Sequence, residues 1–294
     1  MATALEVSAP FVRRTMPRAV RRKRMLIAVA DHSVLIVLSI MFIAPFVFMV
    51  LTALMTSAQS LTPNLWPHPF EFGNITKVFG QAPMLRYAAN TFMYATLATI
   101  GLVLSSVPVA YALAFMRWRG RNIVFVGVLV SMMLPPQVTV IPVYVMFARL
   151  HLVGTIWPLV IPNWFGDAFS IFLLRQFFLT IPIEYVDAAR VDGCGELRIM
   201  LRVIARLAKP AIAAVALFSF LLCWNDFFGP LLYTLQNPSH WTLSVGLSQF
   251  RNLYSVNWNL VMAGTVVFMA PVILLFFFAQ KAFVEGVTLT GVKG

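Results

Sequence analysis

The side chains able to do chemistry are few and unevenly placed. Four of the ten acids, Glu184, Asp187, Asp192 and Glu196, fall between Thr180 and Arg206, together with Arg190, Arg198, Arg202 and Arg206. Pro182 is well placed to open a helix there, and Glu184 and Asp187 complement the dipole in its first turns. Gly193 and Gly195 would end that helix. Tyr185, Ala188, Ala189 and Asp192 then share one face at i, i+3, i+4 and i+7. Two alanines in the middle of that face allow close approach to another surface, and the acids offer charge complementarity. A second helical stretch from Glu196 to Leu207 follows. The pattern predicts a docking element; a solvated connector is the plainer alternative.

Other chemistries find no support. The histidines (His32, His68, His151, His240) lack metal-ligand spacing, and Cys194 and Cys223 make neither a metal framework nor an expected disulfide. A membrane-embedded protease needs a nucleophile facing a base, and His32 is the only histidine near the inside of an apolar run. No G-x-x-x-x-G-K-[ST] is present, so ATP is not cradled by that route. The sequon at Asn74-Ile75-Thr76 is of a kind common by chance.

The elements that must carry these residues follow from composition. The chain has 294 residues, 60% of them apolar and 11% charged, with a net charge of +12. Soluble domains carry roughly a quarter charged residues, and the mean hydropathy here is +0.85. Too little polar surface remains to cover a water-soluble globule. A bilayer core of about 30 Å takes about 20 apolar residues per helix. Six runs qualify: Leu26–Leu54, Ala88–Phe115, Asn122–Phe147, Ile156–Phe178, Lys209–Tyr233 and Leu260–Ala282. Their continuity argues against a barrel of alternating strands. The expected fold is therefore all-α and integral to the membrane, with a basic arm over 1–25 and a transmembrane domain over 26–294. The first run is too long for a signal h-region and is expected to stay as an uncleaved span.

With the N-terminus inside, 18 of the 22 Lys and Arg residues face the cytoplasm, and Lys77, Arg86, Arg149 and Arg251 lie outside. By the positive-inside rule this predicts both termini inside. It also accounts for the basic pI without nucleic acid. The 180–206 segment is then a cytoplasmic loop between spans four and five.

Polar residues within spans default to functional hypotheses. Asp31 sits near the cytoplasmic end of span one, Gln137 follows Pro135-Pro136 in span three, and Asn163 and Asp167 lie in span four. Trp224, Asn225 and Asp226 lie well inside span five. Gln137, Trp224, Asn225 and Asp226 are read as lining a path for a hydroxyl-rich solute. The competing role is interhelical fastening. Pro135 and Pro136 are the hinge candidates among prolines found in every span.

The loop resembles the signature cytoplasmic loop of ABC-importer permeases, Glu-Ala-Ala, three residues, Gly; here it reads Asp187-Ala188-Ala189 through to Gly193. Phe172 to Phe178 with Ile181-Pro182 and Glu184, and also Trp224-Asn225-Asp226-Phe227, are similar to binding-protein-dependent carbohydrate permeases of the maltose-transporter type. The stretch from Gln280 to Gly294 resembles the smaller permease of that heterodimer. Two departures stand out: Asp187 replaces the usual Glu, and Arg206 replaces the usual proline before span five. The resemblance implies a type I importer permease of six spans, with 180–206 as its coupling loop. It also implies a transport subunit rather than an enzyme, in the cytoplasmic membrane of a bacterium. Its partners would be a second permease, a cytoplasmic ATPase dimer carrying ATP and Mg, and an external solute-binding protein; this chain would bind no cofactor itself. The implied cargo is a sugar or sugar-like solute, with a glycerophosphodiester or glycerol-3-phosphate as the alternative. A stand-alone secondary transporter is the distant rival. It would usually show internal repeats and would not need a docking loop.

Overall fold

The computed structural model describes residues 18–251 and 256–291. Residues 1–17 of the basic arm and 292–294 lie outside them. The described residues are helical apart from loops and one isolated bridge, Arg251–Val256. The helices are α1 (Arg18–Ala53), α2 (Gly73–Gln81), α3 (Met84–Phe115), α4 (Arg121–Met132), α5 (Pro136–Arg149), α6 (Trp157–Val160) and α7 (Ala168–Phe178). They continue with α8 (Glu184–Val191), α9 (Glu196–Ile199), α10 (Ala205–Leu207), α11 (Lys209–Asn225), α12 (Phe228–Thr234), α13 (Leu243–Ser248) and α14 (Trp258–Gly291). Four segments are long and apolar enough to cross a bilayer, and up to six when each of two bent pairs counts as one.

Three expected spans are not continuous; span four breaks at Gly166 (φ +86°, ψ 159°) and the extended Asp167, just before α7. Span three bends by 95° between α4 and α5. Pro135 is extended (φ −61°, ψ 129°) and Pro136 opens α5. A residue before proline is pushed out of the α region, and proline lacks the N–H that would carry the ladder on. Span five stops at Asp226, which is extended (φ −65°, ψ 124°). The cause lies four residues ahead: Pro230 has no N–H to donate to the Asp226 carbonyl, and its ring would strike that oxygen. The Ser244 hydroxyl donates to it instead, at 2.6 Å.

α3 organises the remainder. Its first half (Met84, Tyr87, Tyr94, Ala95, Ala98) packs into one apolar cluster with Phe147, Leu159, Trp224, Tyr233 and Leu260. Its second half (Leu102, Val107, Ala110, Tyr111, Phe115) packs into another with Leu174, Phe178, Val186, Ile199, Ile204 and Val215. Gly101 marks the boundary, where the Trp164 indole lies directly on the helix. α1 is held mainly by α14 and is otherwise bare, with residues such as Ile36, Val37, Met41 and Phe42 exposed. Asn74 is buried, and its amide donates to Ala53 O (2.9 Å) and Met55 O (2.8 Å), satisfying carbonyls orphaned at the end of α1. The sequon asparagine is thus a structural cap.

A side chain at Gly101 must displace Trp164, so Gly101→Leu is expected to destabilise by about 1–3 kcal/mol. Gly127 in α4 faces open space, so Gly127→Ala is expected to be neutral or to stabilise by up to about 1 kcal/mol. Thermal unfolding of the two variants in detergent would check this contrast.

Candidate functional sites: a pinned loop and broken spans

α8 begins after Pro182 and carries Glu184 and Asp187 in its first turn. Its end is a Schellman motif: the Gly193 N–H donates to Arg190 O (3.0 Å) and the Cys194 N–H to Ala189 O (2.9 Å). Gly193 has φ +76° with open space where a Cβ would stand, so glycine is required there by conformation, not by crowding. The expected four-residue face divides. Val186 and Ala189 point inward onto the second cluster, whereas Glu184, Tyr185, Asp187, Ala188, Val191 and Asp192 are exposed. Ala189 therefore seats the helix, and Ala188 alone of the alanines lies on the outer face.

Three residues not singled out as site residues hold this loop. Tyr111 on α3 donates to Glu196 Oε2 at 2.6 Å. The Arg190 Nε donates to Glu196 Oε1 at 2.8 Å, and its Nη1 to Asp187 Oδ1 at 3.0 Å. The Asp187–Arg190 pair was legible as an i,i+3 spacing; the partnership with Tyr111, 85 residues from Glu196, left no local signal. Hydrogen bonds from Arg190 and then Tyr111 hold the Glu196 carboxyl below its ordinary value. Beyond Glu196 the chain makes a π-helical turn, Met200–Ile204, then α10, and bends by 84° into α11. Arg206 lies within α10, and Pro210 occupies the first turn of α11. The entry to span five is thus turned at Ala208, without a proline at 206.

The polar residues of the spans separate. Gln137 is exposed in the first turn of α5, on the far side of the Pro135–Pro136 bend. Trp224 turns inward, stacked on Phe220 with centroids 5.6 Å apart, its Nε1–H donating to Phe268 O at 3.3 Å. Asn225 points outward and bonds only Leu221 O, at 2.8 Å. Asp226 is built into the break: Oδ1 accepts from the Gly229 N–H and Oδ2 from the Tyr94 hydroxyl, each at 3.0 Å. Asp167 caps α7 through Ser170, and the Asn163 amide bonds Leu159 O. Among the four path candidates, Gln137 and Asn225 offer free surface, while Trp224 and Asp226 serve the fold.

Long apolar helices, spans broken at Pro135–Pro136 and at Asp226, and a charged loop seated by one face mark a multi-pass helical membrane protein. Residues 106–289 match the family described as binding-protein-dependent transport system inner membrane component, and the chain belongs to that family. It is 33% identical over 262 residues to the arabinooligosaccharides transport system permease protein AraQ of Bacillus subtilis, covering 87% of this chain and 92% of that one. It is 32% identical over 271 residues to the sn-glycerol-3-phosphate transport system permease protein UgpE of Brucella abortus, covering 88% and 95%. A chain in the crystal structure of a bacterial ABC transporter involved in the import of the acidic polysaccharide alginate shares the fold, with a TM-score of 0.76, 24% identity and coverage of 93% and 99%.

The depressed Glu196 carboxyl fixes the sign of a pH effect. A lowered folded-state value contributes stability that is present at neutral pH and lost as pH falls through it. Hydrogen-exchange protection over 184–192, each rate being divided by the intrinsic rate at its own pH, is therefore expected to be flat from pH 8 to about 5 and to fall below about 4, starting from the ordinary carboxylate value. Glu196→Gln should lower protection already at pH 7 and remove its acid-dependent loss.

Proposed function

We propose that this chain is one of two permeases in an ATP-driven importer of a sugar or sugar-like solute. It crosses the cytoplasmic membrane of a bacterium six times with both termini inside. Loop 180–206 docks on an ATPase that carries ATP and Mg, and a solute-binding protein delivers cargo from outside. The observation that carries this reading is α8: seated on the second cluster by Val186 and Ala189 and tied through Arg190 and Glu196 to Tyr111 of α3, it presents Tyr185, Asp187, Ala188, Val191 and Asp192 bare on the other face. A chain without its own phosphate-binding loop takes energy through a contact, and this face is patterned for one.

The break in span three supports a second permease or a water-filled path. Residues Met133–Pro136 are exposed in the single chain, and irregular backbone at membrane depth is tolerated only against protein or water. Gln137 and Asn225 would offer amides to hydroxyl-rich cargo along that path, with Pro135 and Pro136 as the hinge of α5.

The similarity to UgpE supports a second reading, glycerol-3-phosphate or a glycerophosphodiester as cargo. Residues 122–148 and 210–233 contain no Lys or Arg and one acid, Asp226. A phosphate passing them would meet no counter-charge in a low dielectric. That favours an uncharged sugar, as does the similarity to AraQ.

Reconstituted transporter tests both parts. Ala188→Trp and Asp187→Lys are expected to leave the chain in the membrane, to release the ATPase and to cut ATP-driven uptake at least about tenfold. Gln137→Ala and Asn225→Ala should weaken uptake of an arabino-oligosaccharide without releasing the ATPase. Uptake by this chain alone, with no ATPase, would end the coupling reading. Faster uptake of glycerol-3-phosphate than of any sugar would end the sugar reading.

A further inference from the structure

The connection from α3 to α4 holds three arginines in five residues, Arg117, Arg119 and Arg121. Arg117, Trp118, Gly120, Arg121, Asn122 and Ile123 line a cavity of about 520 Å³. Its walls are fixed. Gly120 turns the chain with φ +88°, the Trp118 Nε1–H donates to Ala112 O at 3.3 Å, and Arg121 Nη1 donates to Met116 O at 3.3 Å. Arg175 approaches from α7, its guanidinium 3.9 Å above the Phe125 ring, and feels the charge of Arg121.

These cations have no anion. Ion pairs among the described residues join Lys77 to Glu71, and Arg190 to Asp187 and Glu196. None reaches this cluster. The first turn of α4 has no acid and no side-chain cap. Just beyond the cavity α4 is apolar and bare: Ile123 is 78% exposed and Val126 56%. The cavity therefore sits where a charged rim meets an uncovered apolar wall.

Topology alone does not require this. The positive-inside rule counts charges and is indifferent to their arrangement. A rigid cup with two guanidiniums, an indole at its edge and apolar surface below fits a molecule with a phosphate at one end and hydrocarbon at the other.

We propose that this cavity binds the phosphate headgroup of an anionic phospholipid, held by Arg117 and Arg121, with its acyl chains along Ile123, Val126 and Val130 of α4. Guanidinium and phosphate match in geometry and charge, and basic pockets at helix ends take such headgroups. The leaflet assigned to the lipid rests on the topology proposed above; binding does not.

The test uses the assembled transporter in detergent, offered phosphatidylglycerol and phosphatidylcholine in equal amounts. Lipids retained are counted by mass spectrometry of the intact complex. The unaltered complex is expected to retain phosphatidylglycerol at about a tenfold preference. Joint R117Q and R121Q substitution should abolish that preference, joint R117K and R121K should keep part of it, and R149Q should leave it unchanged. Equal retention of the two lipids by the unaltered complex overturns the proposal and leaves the topology untouched. Full displacement of phosphatidylglycerol by inorganic phosphate, which then stays bound, would make the ligand a soluble phosphate and also overturn it. So would Gln variants that release the ATPase while lipid retention stays the same, because the arginines would then serve a protein contact.

Discussion

Inside a bilayer a backbone carbonyl freed from its helix has no water to turn to, and its burial without a partner costs several kcal/mol. Much of this chain's architecture follows from how that debt is met at Asp226. Pro230 releases the Asp226 carbonyl, and Ser244 accepts the task of bonding it. The Asp226 side chain then closes the start of the next helix through the Gly229 N–H and reaches Tyr94 on α3. The break in span five is a finished joint, secured by the Ser244 hydroxyl of α13, the Gly229 N–H of α12 and the Tyr94 hydroxyl of α3. The break in span three has no comparable closure among the described residues, and Met133–Gln137 are exposed. One discontinuity is internal to the fold; the other is left for a neighbour or for water.

α3 connects these features. Tyr94 in its first half grips the joint in span five, and Tyr111, 17 residues on, grips Glu196 of the 180–206 loop. At 1.5 Å per residue the two hydroxyls are anchored about 25 Å apart on one rod. α11 runs between the same two regions and packs against α3 more extensively than any other pair of elements. The loop and the joint are therefore referred to a common frame. A shift of the loop relative to α3 strains Tyr111–Glu196 first. The cation on Arg190, bonded to both Glu196 and Asp187, carries such a shift into α8.

How much of this could be read from the sequence divides by range. Span existence, the helix at 184–191 and its glycine stop are local properties, set by apolar runs, Pro182 and Gly193, and they were legible. Both ends of span two and the start of span six were placed within a few residues by the same logic, whereas α14 runs on to Gly291, past the expected end at Ala282. Continuity of spans three and five was misjudged, because proline in a long apolar run was treated as a kink when Pro135-Pro136 and the Asp226–Pro230 spacing each stop a helix. The outer face of α8 was half right: wheel spacing grouped Ala188 with Ala189, but which side of a short helix is buried depends on where α3 and α7 lie. Tyr111 and Tyr94 left no trace in the sequence, since a tyrosine in an apolar helix looks like packing until its hydroxyl is seen to meet a carboxylate.

The π-helical turn at Met200–Ile204 interrupts the helical stretch expected from Glu196 to Leu207. Ile199 and Ile204 are both fully buried, yet residues five apart on an α-helix point about 140° from each other. The wider turn admits one extra residue and swings both side chains onto the same wall. The chain here behaves as two short wheels offset by one position, with the seam between them hidden in an unbroken run of helical backbone.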